Sequence, residues 1–173
     1  MRSLYMDTTG KGFTIATENA VAKSAEHNQS DKIFAAIEEV LSGAQIKNLD
    51  RIIVMRGPGS FTGIRLGLSI AKGFAIAAAA KVIALDNFKG IFLSTGHTGR
   101  IAIPEGRDFF NADLDADGNI VGEPWLGTES GFTAPLDPQK ILKADLKPAV
   151  PEPLYIRPHY AKIPCKPASN MIK

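Results

Sequence analysis

An α/β fold, a mixed sheet with helices packed against it, is what the hydrophobic pattern of this 173-residue chain predicts. Three observations carry that expectation. The first 26 residues hold three short strand-like segments, helical and strand-like periods then alternate up to residue 98, and a glycine-rich elbow joins the most apolar strand to the longest helix. The organisation expected is a first lobe over 1–98 carrying the elbow, a short-strand hairpin lobe over 99–132, and a proline-rich extended segment over 133–173.

RSLYMD (2–7) and GFTIATE (12–18) read as strands joined by the polar turn TTGK, and AVAKSAE (20–26) reads as a third. A helix is expected from Ser30 to Ser42, capped by Ser30, favoured at its N-terminus by Asp31 and stopped by Gly43. Its Ile33, Phe34, Ile37, Val40 and Leu41 recur at helical spacing. RIIVM (51–55) is an apolar strand suited to the middle of a sheet. Helix 62–79, strand 82–85 and a short helix from about Asp86 follow. Beyond residue 98, IAIP (101–104), DFFNADL (108–114) and NIVG (119–122) read as strands, with DADGN as a hairpin turn. Eight of the eleven prolines fall after residue 132, so one helical turn near 138–143 is the only regular element expected there.

Bulk composition narrows the function classes. The net charge of +2 is no global nucleic-acid signature. Cys165 is the only cysteine, which excludes an internal disulfide and favours a reducing, cytoplasmic setting. The opening MRSLYMDTTGKG has no secretory h-region. In the most apolar stretch Lys72 and Lys81 enclose eight residues, where a membrane span needs about 20. After Glu152 the charged residues are all basic: Arg157, Lys162, Lys166 and Lys173. That run is either a solvated tail or a basic arm touching RNA or an acidic partner.

The elbow Gly57-Pro58-Gly59-Ser60-Phe61-Thr62 admits three readings. A nucleotide phosphate loop of Walker type fails, because no lysine follows a second glycine at the required place. A dinucleotide site has Gly57, Gly59 and Gly63 after a strand and Asp86 at the end of the next, but its spacing departs from GxGxxG by one residue. The third reading is a contact surface. Gly63, Gly67, Ala71 and Ala78 share one helical stripe with Phe74 among them, and Leu66 and Ile70 flank it. Arg65, Ser69 and Lys72 form the polar stripe. Small residues every four positions let another helix approach closely, whether the chain's own core or a partner. With apolar residues around most of the circumference, a second buried face is expected, hence a partner contact at Gly63, Leu66, Gly67, Ile70, Ala71 and Phe74.

GPGSFTGIRLG closely resembles the signature of the bacterial TsaB (YeaZ) family, which serves threonylcarbamoyladenosine formation in tRNA. LYMDTT near the start, His27 before the first helix and PLYIRPHYA (153–161) agree with other family landmarks. The resemblance implies an actin-like, Hsp70/hexokinase-type (ribonuclease H-like) lobe with a reduced second lobe. It also implies a non-catalytic subunit without cofactor, paired through its first two helices with the catalytic paralogue TsaD and joined by the ATPase TsaE, with homodimers as a related pairing. Contact with tRNA is then indirect or through the basic tail. The paralogue's His-x3-His metal pair falls where this chain has Asn87 and Ile91. An isoleucine binds no metal and an asparagine is a poor ligand for a transition metal. The chain departs from the family in its proline-rich connection before Tyr155 and in Pro104-Glu105-Gly106-Arg107 after the strand near 101–103.

Smaller signals have structural readings beside functional ones. Asp7, Thr8 and Thr9 form a turn that stabilises itself or keeps a residual phosphate contact. Asp113, Asp115, Asp117 and Gly118 reproduce half a calcium loop, but Pro124 replaces its closing Glu, so a hairpin turn is expected. Ser60 lacks the Gly-x-Ser-x-Gly frame of a nucleophile and suits a helix cap. Trp125 is expected as a core plug. The expected function is a structural and activating subunit, the rival a nucleotide-binding ATPase or oxidoreductase using the elbow. On the first reading Gly67→Leu is expected to abolish pairing and leave the fold intact.

Overall fold

The computed structural model describes residues 2–25 and 30–156, the side chains of residues 30 and 31 excepted. His27, the Ser30 and Asp31 cap and the basic residues from Arg157 onward, with His159 and Cys165, lie outside the described residues.

Three strands open the chain: β1 (Ser3–Asp7), β2 (Phe13–Ala16) and β3 (Val21–Ser24). Helix α1 (Ser30–Leu41) and a 3-10 turn lead to β4 (Arg51–Met55), which runs through the elbow into α2 (Phe61–Ala78). Strand β5 (Lys81–Leu85) and α3 (Asn87–Thr95) complete the first part. Then come β6 (Gly99–Glu105), β7 (Asp108–Leu114), β8 (Ile120–Gly127) and α4 (Pro138–Lys143).

The larger sheet has the order β3-β2-β1-β4-β5. β1 pairs antiparallel with β2 and parallel with β4, with Tyr5 opposite both Ala16 and Ile53. All five residues of β4 are buried, as its uninterrupted apolar run requires between two parallel neighbours. Strands β6, β7 and β8 form a separate antiparallel sheet. Strand β8 reaches Gly127, past the sequence expectation of 122, because Pro124 lies on an edge strand where a missing N–H is tolerated.

Each face of the larger sheet has its own cover. Leu4, Met6, Ile15, Ile52 and Val54 pack with Ile33 and Ile37 of α1 and with Ile64, Leu68 and Ala71 of α2. Tyr5, Ile53, Met55, Ile83 and Leu85 pack with Ile141 and Leu142 of α4. The smaller sheet turns Ile101, Phe110, Ala112 and Leu114 onto Phe88 and Ile91 of α3. Helix α2 is long and apolar enough by composition to cross a membrane, but its inner side is the core side of this sheet.

Three side chains depart from expectation. Phe34 follows the helical apolar pattern yet is 51% exposed, meeting Phe74 edge-on at 6.4 Å between ring centroids. Trp125 is no core plug. It is half-buried beneath the Arg100 guanidinium, 5.1 Å from the ring centroid, and stands opposite Asn111, away from the apolar face of its sheet. Arg51 sits buried inside the central apolar strand, where its Nε donates to Ser3 Oγ at 2.7 Å.

Candidate functional site

Strand β4 ends on the elbow, and the elbow is bonded to the turn after β1. Ser60 N–H donates to the Thr9 carbonyl at 2.6 Å, and the Ser60 hydroxyl caps α2 by accepting from Gly63 N–H. Thr8 Oγ1 donates to the Gly63 carbonyl at 2.6 Å. Asn87, the first residue of α3, donates through Nδ2 to Thr9 Oγ1 at 2.8 Å and to the Pro58 carbonyl at 2.9 Å. Its backbone N–H meets the Gly57 carbonyl. Thus Asn87 fastens two loops together, while Ile91 is buried among apolar neighbours.

This geometry explains the glycines. A Cβ on Gly59 would lie 2.3 Å from the Thr9 carbonyl oxygen, and one on Gly63 would lie 1.9 Å from that of Thr8. The elbow glycines exist so that the chain's own backbone can come close.

The partner stripe expected on Gly63, Gly67 and Ala71 is therefore corrected. All three are buried, Gly67 against Thr8 and Val54, and Ile70 is buried with them. Leu66 and Phe74 stand at the half-buried border. About a third of the way round the same helix lies another run of small residues, Ser69, Gly73 and Ala77, all exposed. Nothing lies within 4 Å of the place a Gly73 Cβ would occupy, and neighbouring Ile76 is 85% exposed. The sequence holds both stripes. Only the position of Thr8 shows which one faces inward.

A cleft of about 650 Å³ separates the Thr9–Lys11 turn and the α2 N-terminus from the β6–β7 hairpin at Ile103–Gly106, with Asn87 and Phe110 among its lining. The hydroxyls of Thr8 and Thr9 and the Thr9 N–H are committed internally. Asp7 Oδ1 accepts from Thr9 N–H at 2.9 Å and from Thr9 Oγ1 at 2.7 Å. Desolvation raises the Asp7 carboxyl above its ordinary 3.8, outweighing those two bonds, which pull it down. A raised folded-state pKa gives stability that is fully present below 3.8 and is lost as pH rises through the folded value. Asp7→Asn is therefore expected to unfold at higher urea than the parent at pH 7, with the two midpoints converging towards pH 4. Equal midpoints at pH 7 would show that the carboxylate carries no burial penalty.

The acidic hairpin turn satisfies itself. Asp115 Oδ1 accepts from the backbone of Asn119 at 2.8 Å and of Asp117 at 3.0 Å, bonds that hold its carboxyl below the usual range. Asp113 pairs with Arg100 at 3.1 Å. Gly122 and Pro124 continue into a strand where a calcium loop needs a helix. Among the described residues no His, Cys, Asp or Glu group of metal-binding form occurs. Asp86, the candidate ribose acid, caps α3 and faces Arg56 at 3.8 Å.

Sequence reasoning missed one surface cluster. Arg65 lies over the Phe61 ring, 3.8 Å from its centroid, and donates through Nε to Tyr155 Oη at 3.3 Å. The Phe61 and Tyr155 rings are 5.1 Å apart. Leu154 N–H donates to the Arg56 carbonyl, so the described chain ends by returning to the elbow.

Residues 17–105 match the family model for tRNA N6-adenosine threonylcarbamoyltransferase, TsaD. The chain is 28% identical over 143 residues to the tRNA threonylcarbamoyladenosine biosynthesis protein TsaB of Escherichia coli, covering 75% of this chain and 61% of that protein. It is 33% identical over 91 residues to the Haemophilus influenzae protein of the same name, covering 49% and 39%. The chain thus spans about three-fifths or less of the length of these relatives. The structure of YeaZ from Pseudomonas aeruginosa superimposes with a TM-score of 0.60 at 18% identity, over 78% of this chain and 73% of that one. The fold is the actin-like, ribonuclease H-like lobe.

Proposed function

The chain belongs to the TsaB (YeaZ) family, and on that premise we propose that it is a non-catalytic, activating subunit in the formation of threonylcarbamoyladenosine in tRNA. It pairs with a TsaD-like catalytic paralogue, and a TsaE-like ATPase completes the assembly, all in the cytoplasm. Its pairing surface is the outward face of α1 and α2, which also serves a homodimer. The reacting adenosine, just 3′ of the anticodon, is presented to the paralogue, and this chain takes no cofactor.

One observation carries the pairing surface: an exposed strip of helix α2 without bulk at Ser69, Gly73 and Ala77. Phe34, edge-on to Phe74, and Ile76 are large apolar side chains left in solvent, and the space beside Gly73 is open. Small residues at 69, 73 and 77 let a second helix approach closer than the usual 8–10 Å between axes. The rival enzyme reading has less support, because the space beside Gly59 and Gly63 is filled by backbone of Thr9 and Thr8 and that beside Gly57 by Ile64 and the Leu154 carbonyl.

Gly73→Leu tests this without disturbing the core. Capture of the paralogue by the tagged chain is expected to fall at least tenfold, and modification of unmodified tRNA by the mixture to fall with it. The thermal midpoint should hold or rise, since leucine is better than glycine in a helix by about 0.8 kcal/mol. Capture at the parent level would overturn this surface.

A further inference from the structure

We propose that the cleft between the β1–β2 turn and the β6–β7 hairpin binds a small aliphatic α-amino acid, its ammonium on Asn87 and its carboxylate at the N-terminus of α2. This site is separate from the pairing surface, since Gly73 and Ile76 lie further along that helix.

Asn87 supplies the first observation. It is 7% exposed, it lines the cleft of about 650 Å³, and its Oδ1 has no hydrogen-bond partner among the described residues. Native proteins seldom leave a buried acceptor unmade without a use for it. The other end of the amide is spent, because Nδ2 donates to Thr9 Oγ1 and to the Pro58 carbonyl. A relay stands behind it: Thr9 Oγ1 in turn donates to Asp7 Oδ1. Hydrogen bonds in series polarise one another, so the Asp7 carboxylate makes Asn87 Oδ1 a stronger acceptor. What that oxygen lacks is an N–H or O–H donor, which the acceptor oxygens of a phosphoryl chain do not bring. Glu105, on the opposite wall, also favours a cation in the cleft.

The anionic end has its own place. In the first turn of α2 the Gly63 N–H is taken by the Ser60 hydroxyl and the Ile64 N–H by the Ser60 carbonyl. Thr62 lines the cleft, and its N–H has no acceptor among the described residues. That amide, the helix dipole and Lys11, exposed at the rim, together attract a carboxylate. Leu66, Ile103 and Phe110 in the same lining suit an aliphatic side chain.

Isothermal titration of the full chain compares L-leucine with isocaproate, which lacks the amine, and isoamylamine, which lacks the carboxylate. L-leucine is expected to bind, and each truncated probe to bind at least about tenfold more weakly, as loss of one charge-assisted bond requires. Asn87→Leu should weaken L-leucine and isoamylamine and leave isocaproate unchanged. Lys11→Ala should weaken L-leucine and isocaproate and leave isoamylamine unchanged. Lys11 is exposed, so its variant and the three probes decide the matter even if Asn87→Leu melts early. No binding of L-leucine at millimolar concentration, isocaproate binding as tightly as L-leucine, or binding of ADP or inorganic phosphate in its place overturns the proposal. Failure of the pairing model is read separately, from capture by Gly73→Leu.

Discussion

Gly63→Ala is expected to lower stability by at least about 3 kcal/mol, seen as a large drop in the urea midpoint. The added methyl would lie 1.9 Å from the Thr8 carbonyl oxygen, and that oxygen belongs to a backbone with nowhere to retreat. Helix α2 must lift off β1 or the turn must break. Either change strains the bond from the Thr8 hydroxyl to the Gly63 carbonyl and loosens Ile64 and Leu68 in the core. Gly67→Leu belongs to the same class, since its Cβ would lie 2.4 Å from Thr8 Oγ1. The substitution first expected to separate pairing from folding therefore damages both, and Gly73 is the position that separates them. A Gly63→Ala chain unfolding at the parent's urea concentration would show that the contact is slack.

Arg51→Met is the second large effect, a loss of about 3 kcal/mol or more. The buried guanidinium donates to Ser3 Oγ, to the Leu142 carbonyl and, at 3.3 Å, to the Ala144 carbonyl. Those last two oxygens lie at the C-terminal end of α4, a helix of six residues that cannot hold itself together in water. Methionine keeps the bulk of the side chain and leaves the two carbonyls without donors. Amide hydrogen exchange over 138–146 should then accelerate well beyond that of β4. Unchanged exchange there would mean that Ile141 and Leu142 alone secure α4.

Element order was readable in the chain because the periods are clean. RIIVM is apolar after its first residue, a short helix is signalled near Asp86, and DFFNADL is bounded by turn residues at both ends. The facing of α2 was not readable. Two stripes of small residues run along it, and a wheel diagram cannot say that Thr8, more than 50 positions earlier, occupies the one at 63 and 67. Phe34 misled for the same reason: it obeys the helical period, yet the sheet beneath α1 is filled by Ile33 and Ile37. At the candidate site the elbow and its cap were legible from residue type, since Gly and Ser act locally. Asn87 as a clamp and Tyr155 on Arg65 were not, because each depends on a contact between distant segments. Trp125 shows the limit of composition: an aromatic ring can serve an outer face when a guanidinium covers it.

Because Leu154 and Tyr155 fasten onto a loop made almost a hundred positions earlier, the elbow is completed only after residue 155 has left the ribosome. Until then Phe61 lacks its neighbouring ring and the Arg56 carbonyl lacks its donor. A polypeptide interrupted before that point carries an unsealed seam at the root of α2.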